Sequence, residues 1–417
     1  MISHKRHSWF LYNHRSMQNI PPESQSVTPP KHMTLIVALL IMIGPFTIDT
    51  YLPSFPAIEA DFDVSRALLS QSLAFYLAAF SISTLFWGPL SDRLGRRTVV
   101  MSSLLLYLFA SLGCALAGDY SHFLIFRVLQ GVAAGGGLAA GRTMLRDAHA
   151  PQEAQRALSR VMMLFALAPA VAPVIGGWLH DAFGWHSVFY FLALYSALVL
   201  VLFVCRIPET LPTSMRQSFH PAHVARVYGH TLVHRRFQSL VFMIACYFGG
   251  MFLYVVGAPT VVFDFLKLGV NDFALLFVPL VGGVIFGAWV SGRLSHHWDM
   301  HRTVSLAMAL MTVGAVLNAA QAWFLSPQLL TSIIPLMVYS AGVGIAMPAM
   351  SVLSLDCFPH NRGAASAVQG SVQTMGNALI ASLAVPFLGH RPDWMALGQL
   401  SLVVISLLLW RFLPAQK

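Results

Sequence analysis

Apolar residues run through this 417-residue chain in twelve long blocks separated by short polar stretches. A hydrocarbon layer of about 30 Å takes about 20 residues of α-helix to cross. The blocks therefore predict transmembrane helices at 34–52, 68–90, 99–118, 121–145, 157–180 and 186–205 in the first half. In the second half they fall at 238–263, 271–291, 303–325, 329–352, 364–388 and 393–413. The fold class this predicts is an all-α membrane protein.

The longest internal connection, 206–236, falls midway and carries five Arg and four His. It divides the chain into a tail (1–33), a six-helix bundle (34–205), a linker (206–236), a second six-helix bundle (237–413) and a short end (414–417). The halves share short strings: "GPLS" at 88–91 faces "GRLS" at 292–295, and "RDAHAPQEAQRALSRV" at 146–161 echoes "LDCFPHNRGAASAV" at 355–368. Repeated bundles of this kind place a transport site between them near the midplane.

Hydrophobic residues make up 57% of the chain and charged residues 10%, which excludes an ordinary soluble domain. The net charge of +9 raises the question of nucleic acid, but the basic residues are spread among connections and form no single patch. With the N-terminus placed inside, 21 of the 25 Lys and Arg fall on that side; Arg66, Lys267 and Arg391 lie opposite. Acidic residues divide almost evenly, so the bias is the positive-inside signature, and both termini are expected in the cytoplasm. The basic, proline-containing tail reads as disordered and the first apolar block as a retained helix, with Met17 and Met33 as alternative starts. Cys114, Cys205, Cys246 and Cys357 have no metal or redox spacing. His220, His223, His230 and His234 in the linker read as part of a weakly basic surface helix, and no metal is expected. With no phosphate-binding loop the sequence gives no support to ATP-driven transport, and with no nucleophile beside a base it argues against an enzyme.

Two charges stand deep in the apolar blocks: Asp49 in "FTIDTYLPSFP" and Arg127 in "FRVLQGVAAGGG". A charge in hydrocarbon costs several kcal/mol, so each is expected to face the bundle interior beside a partner. At 1.5 Å per residue, Asp49 lies about 8 Å and Arg127 about 9 Å from the outer surface, which puts them at one level. The sequence thus predicts an Asp49–Arg127 pair, direct or bridged by Gln130 one turn below Arg127. Desolvation favours the neutral acid and a nearby cation the carboxylate, so movement of such a pair changes proton occupancy. The alternatives are a snorkelling Arg127 and an Asp49 that merely caps a helix broken before Pro53.

Between the second and third blocks runs "GPLSDRLGRRTVV", with Gly88, Asp92, Arg93, Gly95, Arg96 and Arg97. Gly88 is expected to permit close helix contact, and the three arginines to sit at the anionic membrane surface. The string resembles the signature loop of the major facilitator superfamily, whose fold is twelve helices in two pseudo-symmetric bundles. The resemblance implies that Asp92, Arg93 and Arg97 are gating residues that help hold the bundles together in the outward-open state. The second-half counterpart, "GRLSHHWDMHR", departs from it, with His296 and Asp299 at signature positions.

"TIDTYLPSFPAI" at 47–58 together with "FRVLQG" resembles the superfamily's drug:proton antiporters, most closely the bicyclomycin and chloramphenicol resistance branch. That resemblance implies that Asp49 is the protonation site, with Arg127 and Gln130 as its companions in proton coupling. "ALAPAVAPVIGGWL" at 166–179 resembles the antiporter motif of the fifth helix, although Ala172 stands where a glycine is usual. There Pro169 and Pro173 remove backbone donors, and Gly176 and Gly177 open the surface for close packing.

A central pocket is expected from Tyr51, Tyr76, Tyr247, Met251, Phe252 and Tyr254, whose rings and sulfur suit varied lipophilic molecules. Gln369, Gln373 and Asn377 add an amide stripe four residues apart. The resemblance implies a proton-coupled multidrug efflux transporter of small lipophilic neutral or cationic compounds in a bacterial inner membrane. It would work as a monomer, driven by the proton gradient with no cofactor. A proton-coupled carrier of a nucleoside, amino acid or sugar on the same scaffold is the alternative.

Overall fold

The computed structural model describes residues 32–216, 226, 228–229, 231, 233–359 and 361–413. The tail through residue 31, most of the linker with His220, His223 and His230, and the last four residues lie outside them. Among the described residues, twelve helices are long and apolar enough to cross a membrane. Each coincides with one expected block.

The first span is one helix from Met33 to Asp49, a short 3-10 turn at Leu52–Ser54 and a second helix Phe55–Phe62. Pro53 and Pro56 cannot continue the helical hydrogen-bond ladder, so the break falls just after Asp49. The second to sixth spans are Arg66–Leu94, Arg96–Ala115, Tyr120–Ala148, Pro151–Phe183 and His186–Arg206. The seventh, Arg235–Val256, continues into a π-helical segment at Thr260–Phe265. Phe273–Leu294, Met300–Phe324 and Leu329–Leu355 follow. The eleventh span begins as Arg362–Leu379, passes through a π-helical segment at Ile380–Ala384 and finishes as Val385–Leu388; the twelfth is Pro392–Arg411. An even number of spans returns the chain to the face it started from. That face is called the linker face below, and the opposite one the distal face.

Spans one to six pack on one another, as do spans seven to twelve; the halves meet where the second span lies along the eleventh and the fifth along the eighth. The second and eleventh spans run antiparallel. Gln71 donates to the Ser382 carbonyl at 2.9 Å, and ten residues further on Ser81 donates to the Ser371 carbonyl at 2.7 Å. Nearer the linker face, Leu85 packs on a cluster containing Phe237 and Val368, and the Tyr228 hydroxyl donates to the Leu85 carbonyl.

Within each bundle small residues permit close helix approach, as in other membrane helix packings. A Cβ on Gly131 would stand 2.2 Å from the Tyr76 carbonyl oxygen, and one on Gly344 2.2 Å from that of Val284. Side chains that face lipid, such as Phe109, Phe183 and Phe387, are exposed and apolar.

Candidate functional site

Arg127 is fully buried despite its charge, so it does not snorkel to a surface. Its guanidinium lies between two aromatic faces, 4.5 Å from the ring centre of Tyr51 and 4.7 Å from that of Tyr76. A desolvated cation on an aromatic face gains about 2 kcal/mol, and two faces offset much of the cost of burial. Nη1 donates to Gln130 Oε1 at 2.9 Å and, more weakly, to the Thr47 carbonyl at 3.5 Å. Gln130 in turn donates through Nε2 to Ser111 Oγ on the third span at 2.9 Å. Ser72 Oγ fixes the Tyr51 hydroxyl at 3.1 Å, so the cage is itself held. Nε and Nη2 of Arg127 keep no hydrogen-bond partner within the protein.

The expected Asp49–Arg127 ion pair does not form, and Gln130 bridges Arg127 to the third span and not to Asp49. The guanidinium is taken up instead by the rings of Tyr51 and Tyr76 and by Gln130. Arg127 meets the first span on either side of Asp49 in the chain, at the Thr47 carbonyl and the Tyr51 ring, and makes no ion pair or hydrogen bond with the carboxyl group between them. Asp49 Oδ1 is buried and lacks a hydrogen-bond partner. Asp49 does sit where the first helix ends, but its neighbour Thr50, and not Asp49, bonds back to the Phe46 carbonyl.

The fifth span holds this broken end in place. A Cβ on Gly176 would come within 1.8 Å of the Thr50 carbonyl oxygen, and one on Gly177 within 2.8 Å of the Val270 carbonyl oxygen in the other bundle. Adjacent glycines thus serve two interfaces, one beside Asp49 and one between bundles. The helix Pro151–Phe183 continues through Pro169 and Pro173.

The expected pocket residues divide. Tyr51 and Tyr76 are committed to the Arg127 cage, and Tyr76 keeps a buried hydroxyl without a partner. Tyr247 and Asn377 likewise bury unpartnered oxygens, and Phe252 is buried while Met251 and Gln373 are half-buried. Two residues belong elsewhere. Tyr254 meets Asn318 Nδ2 at 2.6 Å in a network with Gln399 inside the second bundle. Gln369 is engaged by Ser351 and Ser354 and ties the eleventh span to the tenth. Both reach polar partners on helices of their own bundle that sequence spacing does not reveal.

At the linker face the signature loop folds back on its own bundle. Arg96, buried although basic, pairs with Asp92 and with Asp147 at 3.0 Å and donates to Ser91 Oγ. Arg93 is exposed, and Arg97 donates to the Val204 carbonyl, so Arg96 and not Arg93 or Arg97 partners Asp92. Gly88 is not a close-contact glycine, since an added Cβ meets nothing within 4 Å. Gly95 is constrained: its φ of +99° suits glycine, and a Cβ there would strike Glu209. Glu209 accepts the backbone N–H groups of Arg96 and Arg97 at 3.0 and 3.2 Å. It thereby caps the third span, a role invisible to short-range patterns because the two sites are over a hundred residues apart. In the second-half counterpart, Asp299 caps the ninth span by accepting from the Arg302 N–H at 2.7 Å.

Two six-helix bundles packed around buried, partly unsatisfied charges define a multi-pass membrane transporter for small molecules. The chain belongs to the Major Facilitator Superfamily, whose family model matches residues 37–381. It is 30% identical over 356 residues to an uncharacterized MFS-type transporter, YdgK, of Bacillus subtilis strain 168, covering 84% of this chain and 88% of that one. It is 26% identical to a bicyclomycin resistance protein homolog of Haemophilus influenzae, covering 92% and 96%. Multidrug resistance protein D of Escherichia coli K12 is 24% identical, covering 84% and 88%. These similarities agree with the drug-antiporter resemblance read from the motifs. Among solved structures, a D-xylose-proton symporter superposes with a TM-score of 0.70 at 17% identity, covering 91% of this chain and 97% of that one. At that identity the likeness concerns the fold alone.

Proposed function

We propose that this transporter exports small lipophilic neutral or cationic compounds from a bacterial cell in exchange for protons, with Asp49 as the proton carrier. The observation that carries the reading is the buried, unpartnered Oδ1 of Asp49 at the break of the first span, on the level of a fully buried arginine. A lone buried carboxyl group is an expensive charge, and it is relieved by a proton or by a cationic partner. Competition between the two at one carboxyl group is what exchange requires. Arg127, held by its cage, supplies a fixed positive field that opposes simultaneous occupancy by a proton and a cationic compound.

In this reading the linker face is cytoplasmic, the bilayer is the bacterial inner membrane, and a single chain is the working unit. The partly unsatisfied oxygens of Tyr76, Tyr247 and Asn377 offer polar anchors within an otherwise aromatic surface. Names of relatives that refer to bicyclomycin and multidrug resistance support the cargo class.

The test is accumulation and resistance in a strain stripped of its own exporters. Expression should lower drug accumulation and raise resistance, and dissipating the proton gradient should cancel both. Unchanged accumulation of drugs alongside carriage of a labelled nucleoside, amino acid or sugar would replace this reading.

A further inference from the structure

The distal end of the second span reaches across to the other bundle twice. Arg66, its first residue, binds Glu59 of its own bundle through Nε at 2.7 Å and Nη2 at 3.2 Å. Its remaining nitrogen, Nη1, pairs with Asp264 of the second bundle. Five residues on, Gln71 Nε2 donates to the Ser382 carbonyl, also of the second bundle.

Both landing points share an unusual backbone. Asp264 lies in the π-helical segment Thr260–Phe265 and Ser382 in the π-helical segment Ile380–Ala384. Such segments are rare, are less tightly wound than α-helix, and recur where helices deform in function. Here they occur on the two helices that the second span engages.

From this arrangement we propose that Arg66 and Gln71 form a releasable clasp that closes the distal face, with Asp264 and the Ser382 carbonyl as its catches. Glu59 is the positioning residue. Its two-point grip presets the guanidinium, so little side-chain freedom is lost when Asp264 arrives. It also keeps Arg66 paired when the bundles separate, so opening leaves no bare guanidinium. Asp264 is about half exposed and returns to water at little cost. Gln71 and the Ser382 carbonyl, nearer the membrane interior, find water only once the distal face opens, so the two links part in order from the surface inward. The proposal rests on the two bundles moving relative to each other, and it does not depend on the cargo.

The experiment measures distal separation directly. Spin labels on cysteines introduced at Ser121 and Ser326, exposed distal positions on opposite bundles, report distances by pulsed electron resonance. The full chain carries replacements of its four native cysteines and sits in lipid nanodiscs without drug. Asp264→Asn should lower the ratio of short to long distances about two- to fivefold, the span an exposed ion pair supports. Gln71→Ala should do the same, and the double variant should approach the product of the two. Arg66→Gln should open the face at least as much as Asp264→Asn, since it also leaves Glu59 and Asp264 unneutralised. Asp264→Ser serves if the Asn variant is not recovered folded. An unchanged ratio in both Asp264 and Gln71 variants overturns the clasp. A shifted ratio in a protein that moves no drug overturns the efflux reading and leaves the clasp standing.

Discussion

Gly176 lies so close to Thr50 that a side chain added there would press its Cβ to within 1.8 Å of the Thr50 carbonyl oxygen. Backbone cannot yield as a flexible side chain can, so Gly176→Ala must displace the break that carries Asp49. Overpacking of this kind costs about 1–3 kcal/mol. We predict at least a tenfold loss of efflux in reconstituted vesicles, whereas Gly88→Ala, with open space around it, should transport normally.

Asp49→Asn keeps the size and removes the titratable group. We predict that addition of drug to the purified variant releases no protons, measured with a pH indicator in weak buffer, while binding of neutral compounds survives. An unchanged proton signal would remove Asp49 from the exchange.

Arg127→Lys keeps the charge and loses the planar group held between Tyr51 and Tyr76. Proton-driven transport should fall at least tenfold while drug affinity changes less than that. Wild-type transport by this variant would show that charge alone suffices and that the cage is incidental.

Glu209 satisfies the first backbone donors of the third span from a distant segment. Removing a helix cap costs about 1 kcal/mol. Glu209→Ala should therefore lower the unfolding midpoint in detergent by about 2–4 °C, and Glu209→Gln by less. An equal effect of both variants would show that the charge, and not acceptance of hydrogen bonds, matters.

Much of this was legible in the chain because a bilayer imposes length and polarity on every span. The twelve helices and the common depth of Asp49 and Arg127 follow from counting at a fixed rise. Depth alone could not supply the partner: Arg127 meets the first span at the Thr47 carbonyl and the Tyr51 ring, on either side of Asp49, and leaves the carboxyl group unpaired. What counting could not reach are contacts between remote segments: Glu209 with the third span, Arg66 with Asp264, and Gly177 with Val270. The signature loop illustrates the same limit. Its arginines are three on paper, but burial beside Asp147, on another helix, selects Arg96.

The cage around Arg127 is drawn entirely from its own bundle: Tyr51, Tyr76, Gln130 and Thr47. When the bundles rock, the guanidinium moves with its surroundings and exchanges no partner across the interface. In the proposed exchange, the electrical balance of a cycle is then set by cargo and proton alone. A neutral compound leaving against one proton carries one net charge inward and draws on the membrane voltage, whereas a monovalent cation leaving against one proton draws only on the pH difference. Valinomycin-imposed potentials should therefore separate the two kinds of cargo, the first accelerating as the interior becomes more negative and the second remaining indifferent.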